Sequence, residues 1–453
     1  MTWISGRCWL VVFTAASICL AVPIAWAQTA KVRACDATGA KCALVLSRDP
    51  AAGENGILVR PISPYDQLSA VGRPVTAEAE PVAALSFNYS INPAHVSSLI
   101  VDTGAVTQAS SMAVLQTGTG ATGSARIRST SAARYVAGTG VYASFSALFT
   151  AGVANSRQEI GLGDESDGVF FGYQGATFGV FLRSGGSDTF VAQSAWNGAD
   201  KFDGTGPSAT TLDKTKLNLF KVQFSWHGAG TIRYYISDPT TGRFALVHQI
   251  VYENTATVPS FMNPTLPLHA KVVNTGNASN VTLKTASMGA YVEGNSATGP
   301  ILIGWPGADY GITTATGTEA AILTLKNKPS NVFGGINVNR VRTKILRIGI
   351  ANPSGAKDMR FLVKLNATLG GTPNYVDSDT TTSVIAVDKS GTTVSGGRLL
   401  GAVRLASGAS ENIDMTPYNF TLNPGDTATF SAQNATDNTP LDAELSVSWL
   451  EMF

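Results

Sequence analysis

The chain reads as an all-β protein of two antiparallel, jelly-roll-type β-sandwiches, and three stretches predict this. In residues 161–183, GLGDESDGVFFGYQGATFGVFLR, the apolar Val169, Phe171 and Tyr173 fall at period two, and Phe178, Val180 and Leu182 repeat the spacing after Gly175. Phe220, Val222, Phe224 and Trp226 alternate with Lys221, Gln223 and Ser225, which predicts a strand with one face inward and its polar face toward water. At the C-terminus Leu445, Val447 and Trp449 alternate with Ser446 and Ser448. No fixed-period repeat points to a propeller or solenoid.

In chain order, residues 1–27 read as a signal peptide: Arg7 is the positive n-region, Trp9–Leu20 the apolar stretch and Ala25-Trp26-Ala27 the small-x-small cleavage site. No later stretch is apolar enough to span a bilayer, so the mature protein is expected to be released, in an extracellular or virion setting. Residues 28–81 form an extended N-terminal arm or linker, too poor in aromatics to bury a core of its own. Of the four cysteines, Cys8 and Cys19 leave with the leader, and Cys35 and Cys42 are expected to close a small disulfide loop in an oxidising compartment.

The first sandwich is placed at 82–297, with strands at Tyr142–Phe149, Thr231–Ile236, Phe244–Tyr252, Ala270–Val273 and Val281–Val292. Asp238-Pro239-Thr240-Thr241-Gly242 is a turn by its chemistry, because proline presets φ and glycine supplies a positive one. The second sandwich is placed at 298–453, with strands at Ala320–Leu325, Ile345–Ile350, Arg360–Leu365, Ser383–Val387, Leu399–Leu405 and Thr427–Ala432 before the terminal run.

Composition narrows function. Lys and Arg number 32 against 31 Asp and Glu, so no basic footprint for nucleic acid exists. Charged residues make up 14%, and solubility falls to hydroxyls and amides.

Two groups of segments carry a resemblance. IGLGDESDGVFFGYQGATFGV, WNGADKFDGTGPS, ISDPTTGRFALVHQIVYEN and NPTLPLHAKVVNTGN come first, followed by LGGTPNYVDSDTTTSVIAVDKSGTTVSGG, LNPGDTATFSAQN and SVSWLEMF. Over about residues 85–453 the chain resembles an uncharacterised, tail-fibre-like virion protein family of tailed phages and large DNA viruses. The resemblance implies a lectin-like sandwich followed by a C-terminal β domain, a non-enzymatic structural role in host-surface recognition, and assembly into homo-oligomers. It brings no established catalytic or ligand residues. The exported N-terminus keeps a second expectation open, a secreted bacterial carbohydrate-binding adhesin and, beyond it, a glycan-cleaving enzyme.

Candidate chemistry is sparse, and no catalytic residue is assigned. The acidic turn Asp164, Glu165, Asp167 offers closely spaced hard oxygens for calcium, although it lacks the EF-hand pattern, and no other cofactor is expected. Glu165 and Asp167 are also the tempting pair for glycoside hydrolysis, but their glycine-rich turn argues against that. The histidines His95, His227, His248 and His269 are isolated; His227 is expected in a turn and His248 in the core or an interface. For a surface glycan or receptor the candidate ligand residues are Tyr173, Trp196 and Asn197, because sugar faces stack on aromatic rings and amides bind hydroxyls. A tryptophan that anchors its loop from within the core is the alternative for Trp196.

Overall fold

The computed structural model describes residues 79–293, 306–330, 332–333, 336–353 and 357–453, together with four short strand segments nearer the N-terminus. The chain divides into a unit Met1–Pro64 and a compact unit Tyr65–Phe453. In the first unit β1 (Val12–Phe13) pairs with β2 (Ala16–Ser17), and β3 (Val32–Cys35) with β4 (Cys42–Val45), both antiparallel. The register makes Cys35 and Cys42 direct Cα partners. Of the remaining predicted signal peptide and arm, only Ala79–Pro81 are described, and they open the strand Ala79–Ser86 rather than close the arm; the rest lies outside the described residues.

In the second unit the first sandwich runs from β5 (Ala79–Ser86), β6 (Val96–Val101), β7 (Ala105–Ala109) and β8 (Met112–Gln116) to the long β9 (Ser124–Ala133) and β10 (Gly140–Phe149). There follow β11 (Ser156–Gly163), β12 (Gly168–Gln174), β13 (Thr177–Ser184), β14 (Ser187–Ala192), β15 (Asn218–Phe224) and β16 (Ile232–Ser237). It closes with β17 (Phe244–Ile250), β18 (Leu266–Asn274), β19 (Thr282–Thr285) and β20 (Ser287–Glu293). One sheet has the order β17-β16-β15-β10-β19-β8-β7, with β20 on β10 and β5 on β20; the facing sheet is β14-β13-β12-β11-β18-β9-β6. All pairings are antiparallel, so each inward row alternates with an outward one.

The predicted hairpin forms as β12 and β13, where Gly175 takes φ +59° at the first position of a two-residue loop. Gly242, at φ +69°, supplies the positive φ in the longer turn between β16 and β17. The single predicted run Val281–Val292 is two strands. Ala286 interrupts it, its N–H held by the Ser146 hydroxyl at 3.0 Å, and both halves pair with β10.

Inward residues fuse into one aromatic core. Phe145, Phe149, Phe171, Phe178, Phe220 and Tyr234 make edge, tilted and stacked contacts at 4.9–6.5 Å between centroids. The outward row of β15 departs from expectation, because Lys221 and Gln223 are buried. That face carries rings of its own: the Lys221 ammonium lies 4.9 Å from the Tyr142 ring and 5.1 Å from Tyr235, and the Tyr235 hydroxyl donates to Gln223 at 3.0 Å.

The second sandwich pairs Pro306–Ala315 with the terminal strand Leu441–Met452, then Arg342–Ala351 and Ser410–Asp414. Its other sheet centres on Ala320–Asn327, Thr427–Asn434, Met359–Leu365 and Arg398–Leu405. The terminal strand alternates in burial along its length, and Leu445, Val447 and Trp449 enter a mainly aliphatic core with Ile322, Leu323 and Ile348. Among the described residues there is no α-helix, and hence no helix long and apolar enough to cross a membrane.

Candidate binding cleft

The acidic turn joins β11 to β12, and the chain there folds around its own carboxylates. Asp164 Oδ1 accepts the N–H groups of Ser166 (2.8 Å) and Asp167 (3.1 Å), and Asp167 Oδ1 accepts those of Met262 (2.9 Å) and Gly185 (3.3 Å). From the second sandwich Arg340 reaches in. Its Nε donates to Asp164 Oδ2 at 2.9 Å, its Nη2 to Asp164 Oδ1 at 2.8 Å and to Asp167 at 3.4 Å, and its Nη1 to the Asn263 carbonyl at 2.9 Å. Both partners are buried. Burial pushes the Asp164 carboxyl up, but the Arg340 charge and the hydrogen bonds it accepts outweigh this and leave it below the usual range.

Glu165 turns away and is held by Arg126 at 2.5 Å and Arg128 at 2.8 Å. Burial again raises its carboxyl, whereas the Arg126 hydrogen bond and the charges around it lower it to about 2. The three carboxylates therefore do not converge on one point. The cation that neutralises Asp164 and Asp167 is a guanidinium, and among the described residues no three metal-capable side chains gather. The turn expected to hold calcium is instead half of an inter-sandwich clamp. The same engagement removes Glu165 and Asp167 as a free acid and base pair.

The predicted ligand aromatics are core residues. Trp196 is 2% exposed, packs edge-on at 6.0 Å against Phe171 and donates its indole N–H to the Val191 carbonyl at 3.2 Å. Tyr173 is buried between Phe149 (5.9 Å) and Phe178 (5.1 Å). Both rings are inward members of the core, and of the alternatives for Trp196 the structure shows the anchor. Asn197 is exposed but occupied: its amide donates to the Gln249 carbonyl (2.9 Å) and accepts the Gln249 N–H (2.8 Å), clipping the loop to β17.

The histidines separate. His227 sits in a turn at φ +39°. His248 is buried and accepts the Asn197 N–H at Nδ1 (3.3 Å), which requires that nitrogen to be unprotonated; burial lowers its pKa to about 4. His269 is buried on the outward face of the β11 sheet, 2.9 Å from Glu159, which also meets Arg157 (2.6 Å) and Arg183 (2.8 Å).

His95 has different surroundings. It lines a cleft of about 850 Å³ between the two sandwiches, to which Arg340 and Asp164 also contribute. The first sandwich contributes His95, Ser97 and Arg128, and the second contributes Arg398, Tyr418 and Asn419. Tyr418 is 74% exposed, carried by a one-turn 3-10 helix, Thr416–Tyr418, that ends on Asn419 in the left-handed region. The side chains of His95, Ser97, Arg398 and Asn419 make no hydrogen bond or ion pair with another described residue. By contrast Asp426, also lining the cleft, accepts from the amides of Asn366 (2.9 Å) and Asn423 (3.3 Å) and the Asn423 N–H (2.9 Å).

No protein-family model and no curated protein matches the chain. Among solved structures it is similar to a putative β-glucanase from Mycobacterium abscessus, at 9% identity over 46% of this chain and 99% of that one, with a TM-score of 0.32. It is also similar to the carbohydrate recognition domain of Emp47p (8% identity, 48% and 97% covered, TM-score 0.31) and to the Crh5 transglycosylase in complex with NAG (13%, 49% and 89%, 0.31). The sandwich assignment rests on the strand pairing, not on these likenesses.

Proposed function

We propose that this is a non-enzymatic surface-recognition protein that binds a glycan in the cleft between its sandwiches, carried on a virion or secreted as an adhesin. The cleft carries the reading: it has the volume of a ligand site, one aromatic ring left largely in solvent at Tyr418, and unoccupied polar side chains from both sandwiches. A sugar ring offers an apolar face to such a tyrosine and hydroxyls to the polar groups beside it. The cleft's two carboxylates, Asp164 and Asp426, are engaged by arginine and by amides, which supports binding over hydrolysis. Homo-oligomerisation, implied by the resemblance to fibre-like proteins, would present several clefts on one particle.

A glycan array on the purified protein, repeated with Tyr418→Ala, tests the proposal. Selective binding that falls at least 10-fold in the variant supports it. A folded protein that binds no glycan, or binds equally well without the Tyr418 ring, overturns it.

A further inference from the structure

We infer that the cleft selects an anionic saccharide, one bearing carboxylate or sulfate groups, with Arg398 as the residue that reads the charge. The inference rests on the reading of the cleft as a saccharide site and follows from its imbalance of donors and acceptors. Three guanidiniums line it, Arg128, Arg340 and Arg398, against two carboxylates, Asp164 and Asp426. Arg340 is consumed by Asp164 and Arg128 shares Glu165 with Arg126. Arg398 is different. It lies on the exposed face of Arg398–Leu405 with no partner among the described residues, so all five of its N–H donors are available in a fixed fork that matches carboxylate and sulfate oxygens. His95, likewise unpartnered, faces the cleft from the other sandwich.

Acceptors run the other way. Both oxygens of Asp164 and both of Asp426 already receive hydrogen bonds. A neutral sugar, rich in hydroxyl donors, therefore finds few strong acceptors, whereas an anionic sugar brings the acceptors this cleft lacks. Nucleic acid offers anionic oxygens too, but the chain as a whole carries 32 basic against 31 acidic residues, without the excess of positive charge that a phosphate backbone calls for.

Binding of the full chain to four probes tests this: a neutral β-glucan hexamer, an oligogalacturonate of equal length, a sulfated oligosaccharide and a single-stranded DNA 12-mer, each at low and high salt. The expected result is at least 10-fold tighter binding of an acidic saccharide than of the neutral one, weakening with salt, with the stronger of the carboxylate and sulfate probes naming the anionic group. Arg398→Gln is expected to abolish that preference, while Arg404→Gln, an exposed arginine paired with Asp358 and absent from the cleft lining, preserves it. Equal affinity for neutral and acidic saccharides, or a preference that survives Arg398→Gln, overturns the charge reading but leaves glycan binding standing. DNA bound as tightly as the acidic saccharide overturns it in favour of a general polyanion site. If none of the saccharides binds, glycan recognition itself fails.

Discussion

The two sandwiches bury similar strand patterns with different side chains. The first fills its interior with rings, Phe145, Phe149, Phe171, Phe178, Phe220 and Trp196 among them, whereas the second packs Ile, Leu and Val around Phe361, Phe430 and Trp449. At the cleft the open ring is Tyr418 of the second sandwich. An aromatic residue in the ring-rich sandwich is therefore a poor indicator of a ligand site. Its ring is wanted by the core, and a lone ring left in solvent by the aliphatic sandwich is the informative one.

The largest expected effect tests the ring-built core. Trp196→Ala removes a buried indole from contacts with Phe171 and Phe178, and truncation of a fully buried large aromatic costs about 3–5 kcal/mol. Val447→Ala in the aliphatic core is expected to cost less, about 1–3 kcal/mol, because a much smaller buried apolar volume is lost. Chemical denaturation measures both. A Trp196→Ala protein as stable as the parent would mean that the indole is not a core element.

The clamp decides whether the two cores behave as one. Arg340→Ala strands the buried Asp164 without its cation, an outcome that costs about 3–5 kcal/mol for a buried pair broken from one side. The half-buried Arg134, whose Nε donates to the Phe453 carbonyl at 2.6 Å, is a further polar tie between the ends of the sandwiches. Calorimetry of Arg340→Ala is expected to resolve two transitions where the parent shows one. Arg340→Met with Asp164→Asn separates the two contributions, because it removes both buried charges and should recover part of the lost stability. A single transition at the parent temperature in Arg340→Ala would show that the clamp couples nothing.

A third difference is protonation, since all four histidines fall in the first sandwich. His248 has an ordinary pKa of 6.5 and is held at about 4 by burial, so the unfolded chain takes up its proton first. Stability from this group is complete above pH 6.5 and falls as pH drops toward 4. Buried His269 is displaced downward by burial as well and acts in the same direction. The depressed carboxylates act lower: Glu159 and Asp164, with ordinary values of 4.5 and 3.8, stabilise the fold above those values and lose their contribution as pH falls below them. Denaturation midpoints between pH 7 and 4.5 should therefore decline in the parent and flatten in His248→Phe; identical slopes would exclude a role for this histidine.

Period-two patterning exposed the hairpin β12–β13, the strand β15 and the terminal strand, because each buries one face against a core. It was silent over residues 82–133, where β5 to β9 are built of Ala, Ser, Thr and Val such as SARIRSTSAA, too small and too mixed to alternate visibly. The buried Lys221 and Gln223 were read as solvent-facing because a strand pattern does not reveal that its outward face meets a second set of rings. The cleft was not legible. His95, Arg128, Arg398 and Tyr418 lie up to 323 residues apart, and the docking of the two sandwiches brings them together. The acidic turn is visible in the sequence, but its partner, an arginine about 175 positions downstream, has no local signature.

The smallest effect on stability completes the contrast between rings. Tyr418 sits on a one-turn 3-10 helix with most of its ring in solvent, so Tyr418→Ala should change the unfolding free energy by no more than about 0.5 kcal/mol. The same variant is expected to lose glycan binding, which would separate recognition from folding in one substitution. Tyr173→Ala should do the reverse, losing stability through its contacts with Phe149 and Phe178 while the cleft, which it does not line, keeps its shape. If Tyr418→Ala instead unfolded the second sandwich, the exposed ring would be a packing residue like those of the first, and the distinction between buried and presented aromatics would not hold for this molecule.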